Sequence, residues 1–243
     1  MEINQNIAEY YDELYPVSEE QKVFYKKRMA LFSEPVKFLR IGCGSGTFEH
    51  NLAREGSDVT GIETSQELLE SANRKRRTQL MSVRYFKMSP IEMTRFLGKS
   101  FYNIISILDD RIIFTHDKTL MAKLFYDCRQ LISQGGKLIL SLTNFEKFKG
   151  KTEFELPERK SIRADLASAV ALRGEEFFLE QILTNSRDKK FTVTEDAPVY
   201  LLEKSEIEKF AKDAGFSKVD FFSDFSENDF TPESDTLIAE ISA

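Results

Sequence analysis

Apolar and polar positions follow two periods along the chain, and the switches between them mark the elements. Val36-Lys37-Phe38-Leu39-Arg40-Ile41 is a short apolar run that ends in glycines, the signature of a buried strand entering a turn. A helix over about Thr47 to Arg54 and a strand over Asp58 to Glu63 follow. Next comes a helix from about Ser65 to Arg76, with Ser65 as cap and Leu68, Leu69 and Ala72 as its apolar face. Ser82 to Lys87, Asn103 to Leu108 and Lys137 to Thr143 are further strands. Between the last two, Leu120, Met121, Leu124, Phe125, Cys128, Leu131 and Ile132 repeat at helical spacing from about Asp117. Strands alternating with helices on short connections predict a parallel sheet covered on both faces.

Beyond Asn144 the pattern changes. Glu176 to Thr184, Phe191 to Glu195 and Val199 to Leu202 read as antiparallel strands joined by polar turns, so 145–203 is predicted to be an insertion. Ser205-Glu206-Ile207-Glu208 reads as a capping box, Phe210 and Ala211 continue an apolar face, and Gly215 ends that helix. Strands Val219 to Ser223 and Thr236 to Ile241 close the fold around an acidic loop. The spacing of Glu227, Asp229, Glu233 and Asp235 in that loop lacks the regular frame of a calcium site and reads as a solvated turn.

Composition narrows the function classes. The chain has 243 residues, 41% of them hydrophobic and 30% charged, enough apolar matter for one domain of α/β type spanning 1–243. With 34 Lys plus Arg against 40 Asp plus Glu, the formal charge is −6, which argues against a nucleic-acid partner bound through its phosphates. The basic cluster Arg74-Lys75-Arg76-Arg77 lies where a helix should end and offsets its macrodipole. No apolar run approaches the roughly 18 residues needed to span a bilayer, and Met1 to Asp12 is acidic and polar, so no membrane partner and a cytoplasmic location are expected. Cys43 and Cys128 are far apart without nearby His, and are read as reduced packing residues; no metal is expected.

The chemistry concentrates at Ile41-Gly42-Cys43-Gly44-Ser45-Gly46-Thr47, where a strand meets a helix. Exposed backbone N–H groups and missing side chains there let a ligand approach the main chain. Glu63 ends the next strand, 21 residues after Gly42, placed to accept both hydroxyls of a ribose. The pattern G-x-G-x-G lacks the third glycine of the dinucleotide fingerprint, with Thr47 at that place, which disfavours a nicotinamide cofactor.

This turn, Glu63, the Gly135-Gly136-Lys137 turn and the helix-then-hairpin ending resemble the class I S-adenosylmethionine-dependent methyltransferases over nearly the whole chain. The resemblance implies a doubly wound, mostly parallel seven-stranded sheet of order 3-2-1-4-5-7-6 with the seventh strand antiparallel, and S-adenosylmethionine as cofactor. It implies that Gly42, Gly44 and Gly46 lie under the methionine and ribose, that Glu63 binds the ribose, and that Thr64 with Met88 and Ser89 lies beside the adenine. Leu108 is expected near the adenine or the methionine chain. Three positions depart from the family pattern. Arg40 stands for an acidic residue, Ser89 for an adenine-binding Asp, and Asn103 for the Asp that starts the fourth strand. A buried lone ion costs several kcal/mol, on the order of 3–5, so Arg40 is expected to find a carboxylate or face solvent.

The start, Glu9-Tyr10-Tyr11-Asp12-Glu13-Leu14-Tyr15-Pro16, resembles the N-terminal Tyr-Asp segment of small-molecule methyltransferases, including the glycine and aminosugar N-methyltransferases. That resemblance implies a helical lid over 1–34, with Tyr11 near the cofactor and Tyr15 near the reacting sulfonium, where electron-rich rings suit a cation. The other reading is an amphipathic helix packed on the sheet. Asp109, Asp110, Arg111 and Asn144, at the carboxyl ends of the fourth and fifth strands, are the expected substrate-side residues. His116 is a candidate general base. The insertion 145–203 is expected to cover the acceptor, with Arg159, Arg163 and Arg173 available to a carboxylate or phosphate. No Asn-Pro-Pro-Tyr stretch follows the fourth strand, which with the net charge favours a small-molecule methyl acceptor. A non-catalytic protein binding S-adenosylmethionine or S-adenosylhomocysteine is the alternative.

Overall fold

The computed structural model describes residues 4–77 and 82–243, so residues 1–3 of the N-terminal segment lie outside the described residues. Helices α1 (Tyr11–Leu14) and α2 (Glu19–Met29) precede strand β1 (Lys37–Ile41). Then follow α3 (Thr47–Arg54), β2 (Asp58–Glu63), α4 (Gln66–Arg77), β3 (Val83–Lys87), α5 (Met93–Phe96), β4 (Tyr102–Ile107), α6 (Lys118–Leu131) and β5 (Ile132–Thr143). Strands β6 (Glu153–Glu155), β7 (Arg159–Lys160), β8 (Ala164–Arg173), β9 (Glu176–Asn185) and β10 (Lys190–Val199) form the inserted region. The chain finishes with α7 (Lys204–Ala214), β11 (Lys218–Phe222) and β12 (Thr236–Ser242).

The main sheet has the order β11-β12-β5-β4-β1-β2-β3. Its pairings from β5 to β3 are parallel, and β12 runs antiparallel to both β5 and β11. This is the order that the family resemblance implied. Both faces are covered, and successive residues divide between them. Phe38, Ile104 and Ile139 pack with Phe24, Tyr25, Phe48 and Leu69 beneath α2, α3 and α4. Their chain neighbours Leu39, Ile105 and Leu138 pack with Met121, Phe125 and Phe210 beneath α6 and α7. Among the described residues no helix is long and apolar enough to cross a membrane.

Several local expectations need correction. The N-terminal stretch is not one helical lid. Helix α2 buries Phe24 and Tyr25 in the core, and Arg28 bonds Glu240 of β12 (2.7 Å), so this part is a fixed layer of the fold. Among the described residues, it is the part around Tyr11 and Asp12 that lies across the glycine turn. The cap of α7 is Glu203, whose backbone N–H reaches the Glu206 carboxylate (3.5 Å), two residues before the predicted box. Val199 closes β10, and residues 200–203 are not a strand. Strand β8 escaped the pattern because Ala-Asp-Leu-Ala-Ser-Ala-Val-Ala is rich in alanine, a helix former. Continuous pairing with β9 from Ala164↔Asn185 to Arg173↔Glu176 overrides that propensity.

The inserted strands make a second sheet of order β10-β9-β8-β6, with β7 also paired to β8. It is tied to the N-terminal segment. Gln5 donates its N–H to the Val193 carbonyl (2.9 Å), and Arg163 donates to Glu13 (2.6 Å) and to the Glu9 carbonyl (2.9 Å).

Candidate functional site

The first turn leaves β1 through Gly42, Gly44 and Gly46, all with positive φ. The N–H groups of Gly42 and Cys43 donate to the Ile62 carbonyl (2.9 and 3.1 Å), which folds the turn over the end of β2. The three glycines have different neighbours. A Cβ on Gly42 would lie 3.0 Å from the Arg111 side chain, and one on Gly44 would lie 2.4 Å from the Tyr11 ring. At Gly46 it would meet the Tyr85 hydroxyl at 2.4 Å and Ala72 at 2.9 Å, so the missing side chain there makes room for β3 and α4 to pack.

Glu63 is buried at the end of β2. One carboxylate oxygen accepts the N–H groups of Thr64 (2.8 Å) and Ser65 (3.0 Å), and the other accepts that of Gly44 (2.9 Å). A cavity of about 220 Å³ opens beside it, lined by Gly42, Glu63, Thr64, Met88, Ser89 and His116 among others. Thus Gly42, Glu63, Thr64, Met88 and Ser89 come together as expected. A carboxylate and a wall of apolar side chains suit a nucleoside, so the residues present fit the ribose and adenine half of the expected cofactor. Leu108 does not join them. Its side chain is 1% exposed and packs in the core with Phe38 and Ile104, because the strand's alternation turns it inward.

A second cavity, of about 270 Å³, lies between the ends of β4 and β5 and the inserted sheet. Tyr15, Asp109, Asp110, Thr143, Arg159 and Gln181 are among its lining residues. Arg111 and Phe114 line both cavities and stand where the two meet. Asp109 and Asp110 both adopt positive φ (58° and 60°), a sharp backbone turn that aims two consecutive carboxylates away from the strand end. Asp110 accepts the Thr143 N–H (2.5 Å) and hydroxyl (3.2 Å), and burial pushes its carboxyl up from the ordinary range against the pull of Arg159.

The aromatic pair of the N-terminal segment faces the same junction. Tyr11 and Tyr15 stack with centroids 4.6 Å apart, and Arg111 donates to the Tyr11 hydroxyl (3.1 Å). Burial pushes both phenols up, so they stay protonated at neutral pH. Arg111 also approaches Glu63 (4.0 Å) and lies across Gly42, so Tyr11 and Arg111 fill the space over the glycine turn.

Arg40 finds carboxylates, as its burial demands. It pairs with Asp109 (3.1 Å) and Glu49 (3.4 Å) at 5% exposure. Burial raises the Glu49 carboxyl to about 7 despite Arg40 beside it. Asn103 accepts the Lys37 N–H (2.9 Å), a structural use that accounts for its place at the start of β4. Ser89 accepts the Ile91 N–H (3.4 Å) and starts a short 3-10 turn.

Two expected site residues are corrected. Asn144 is 1% exposed and donates to the Pro232 (3.0 Å) and Ser234 (2.9 Å) carbonyls, so it staples the acidic loop and does not face a substrate. His116 is exposed on the rim of the nucleoside-side cavity, apart from the carboxylate chamber, so its place does not suit a general base. Sequence reasoning missed Lys75, read as a helix-end charge, which donates to Asp12 (2.6 Å), the Ser45 carbonyl (3.0 Å) and Thr47 (2.7 Å). Nothing in spacing links positions 12 and 75; the hint was Asp12 inside the Tyr-Asp segment.

The sequence profile of a family described as "Methyltransferase domain" matches residues 38–136, from β1 into β5. A ubiquinone biosynthesis O-methyltransferase of Psychrobacter arcticus is 24% identical over 185 residues, 76% of this chain and 60% of that protein. The chain spans about half the length of the curated relatives it matches. The CcbJ methyltransferase of Streptomyces caelestis is 18% identical with a TM-score of 0.81, covering 99% of this chain and 97% of that one. The amino pentose methyltransferase CalS10 of Micromonospora echinaspora, solved with S-adenosylmethionine bound, is 15% identical with a TM-score of 0.67, covering 99% and 98%.

Proposed function

We propose that this chain, which belongs to the class I S-adenosylmethionine-dependent methyltransferase family, moves a methyl group from S-adenosylmethionine to a nitrogen or oxygen of a small-molecule acceptor. The observation that carries this reading is the pair of cavities meeting at Arg111 and Phe114, one built around Glu63 and the other around paired carboxylates. A chamber of about 270 Å³ under the inserted sheet suits a small acceptor and no polymer. That the similar proteins include a ubiquinone-pathway O-methyltransferase and an amino pentose methyltransferase supports an oxygen or nitrogen acceptor.

When bound, S-adenosylmethionine supplies a methyl group on a cationic sulfonium. The chain aligns the two reactants, excludes water and holds protons. In this reading Glu63 accepts the ribose hydroxyls, while Thr64, Met88 and Ser89 flank the adenine. The backbone of Gly42 and Gly44 borders the amino-acid end once Tyr11 and Arg111 shift aside. Tyr11 and Tyr15 present ring faces to the cationic centre. Residues 4–15 act as a lid and 145–203 as the roof of the acceptor chamber. Arg40 neutralises Asp109, so Asp110, held by Thr143 and with no cation in hydrogen-bond contact, is the carboxylate placed to take a proton from the acceptor, the role given to His116 on the sequence alone.

The test is calorimetric titration with S-adenosylmethionine and S-adenosylhomocysteine, with a nicotinamide dinucleotide as control. The first two should bind and the control should not. An acceptor screen following S-adenosylhomocysteine release comes next. Failure of both sulfur ligands to bind refutes the reading. Tight binding of both with no turnover on amines, phenols and amino sugars supports a non-catalytic binding protein instead, the reading favoured by the side chains packed over Gly42 and Gly44.

A further inference from the structure

Three arginines of the inserted region were available to an anion, and their surroundings now separate them. The Arg163 guanidinium is occupied by Glu13 and the Glu9 carbonyl, and that of Arg173 by Asp196 (2.5 Å) and Glu180 (2.8 Å). Both sit on the outer surface. Arg159 alone of the three lines the carboxylate chamber.

Its guanidinium lies over the Tyr15 ring, 4.3 Å from the centroid, and among the described residues it donates no hydrogen bond. Asp110 approaches to 4.0 Å, yet the short contacts of that carboxylate go to Thr143. Apart from Asp110, the other charges of the chamber are neutralised by other partners. Asp109 pairs with Arg40 (3.1 Å), Glu158 with Lys160 (2.8 Å), and Arg111 is held between Tyr11 and Glu63. What is left is the loose Arg159–Asp110 pair, whose guanidinium, a planar fork of five donors, lies over an aromatic ring and lines the cavity. Such a fork matches a carboxylate or phosphate through two parallel hydrogen bonds. Leu156 and Leu179 supply an apolar wall beside it.

We propose that Arg159 anchors an anionic group, carboxylate or phosphate, on the methyl acceptor, so that the substrate class is a small organic anion. This rests on the reading of the chamber as the acceptor site. An anion on Arg159 also places the rest of the acceptor beside Asp110 and Tyr15, at the side of the chamber that opens toward the cofactor cavity.

The experiment compares matched probes on the protein saturated with S-adenosylhomocysteine, by ligand-observed magnetic resonance and calorimetry. The probes are benzoate against benzamide and phenyl phosphate against phenol. At least one anion should bind the wild-type protein about tenfold tighter than its neutral partner, on the scale of a charge-assisted hydrogen bond. The benzoate and phenyl phosphate results distinguish a carboxylate from a phosphate. Arg159→Gln should bring each pair within about twofold, and Arg159→Lys, which keeps the charge and loses the fork, should fall between. Equal binding of anion and neutral partner, an anion preference that survives in Arg159→Gln, or no binding of any probe overturns the proposal. Affinity for S-adenosylhomocysteine, measured separately on wild type and both variants, reports on the methyltransferase reading and should be unchanged. Its absence would sink that reading and with it the proposal, an outcome distinct from equal binding of anion and neutral probe.

Discussion

Replacing Glu63 with alanine tests the centre of the cofactor site. Its carboxylate has about four lone-pair directions. Three are taken by the N–H groups of Gly44, Thr64 and Ser65, at 2.9, 2.8 and 3.0 Å, and the Thr64 hydroxyl reaches the oxygen that serves Thr64 and Ser65 (3.4 Å). One strong position and a shared one are left for the two ribose hydroxyls. A hydrogen bond to a charged group is worth about 1.5–3 kcal/mol, so the dissociation constant for S-adenosylhomocysteine should rise by roughly 10- to 150-fold. Stability should fall as well. The buried Gly44 N–H loses its acceptor, and an unsatisfied buried donor costs about 1–3 kcal/mol, whereas Thr64 and Ser65 open a helix and can reach water. Calorimetry should therefore be run beside thermal melting, and Glu63→Gln, which keeps the volume, separates lost folding from lost binding. Folded variants that bind within about twofold of wild type would refute the placement of the ribose.

Two other expectations concern the glycine turn and the charges beneath it. Glu49 has a folded pKa of about 7, raised from its ordinary 4.5 by burial, so its stabilising share is complete below about pH 4.5 and is lost as pH rises through 7. In Glu49→Gln, chemical denaturation between pH 5 and 8 should show a flatter pH dependence than wild type, by on the order of 2–3 kcal/mol; an unchanged slope would show that Arg40 keeps Glu49 ionised. Gly46→Ala should destabilise by several kcal/mol, roughly 2–4, because its φ is +79° and the new Cβ would meet Tyr85 at 2.4 Å. Gly135→Ala has a comparable φ of +72° with open space around it, so it should cost only about 1 kcal/mol; equal melting temperatures for the two variants would refute the packing role.

The period of the apolar residues marked the strands of the main sheet and helices α3, α4, α6 and α7, while the strand order was what the family resemblance implied. Parallel strands buried on both faces leave strong local signals, as in Phe38 and Leu39, which serve opposite faces. The glycine turn and Glu63 were legible for a similar reason, since they sit next to one another at adjoining strand ends and each needs a residue type with few substitutes. Side-chain direction was not legible. Leu108, Asn144 and His116 occupy the right segments, yet the strand's alternation, a loop staple and the rim of the wrong cavity remove them from the expected roles. Contacts between distant segments were invisible too: Lys75 on Asp12, Tyr85 under Gly46 and Arg40 between Glu49 and Asp109 join positions with no common spacing. Local sequence carries the backbone's preferences and the burial of each face. Which arginine of three turns inward, and which of two carboxylates is left without a cation in hydrogen-bond contact, depends on how the inserted sheet and the N-terminal segment pack over the strand ends, and that is decided only by the assembled fold.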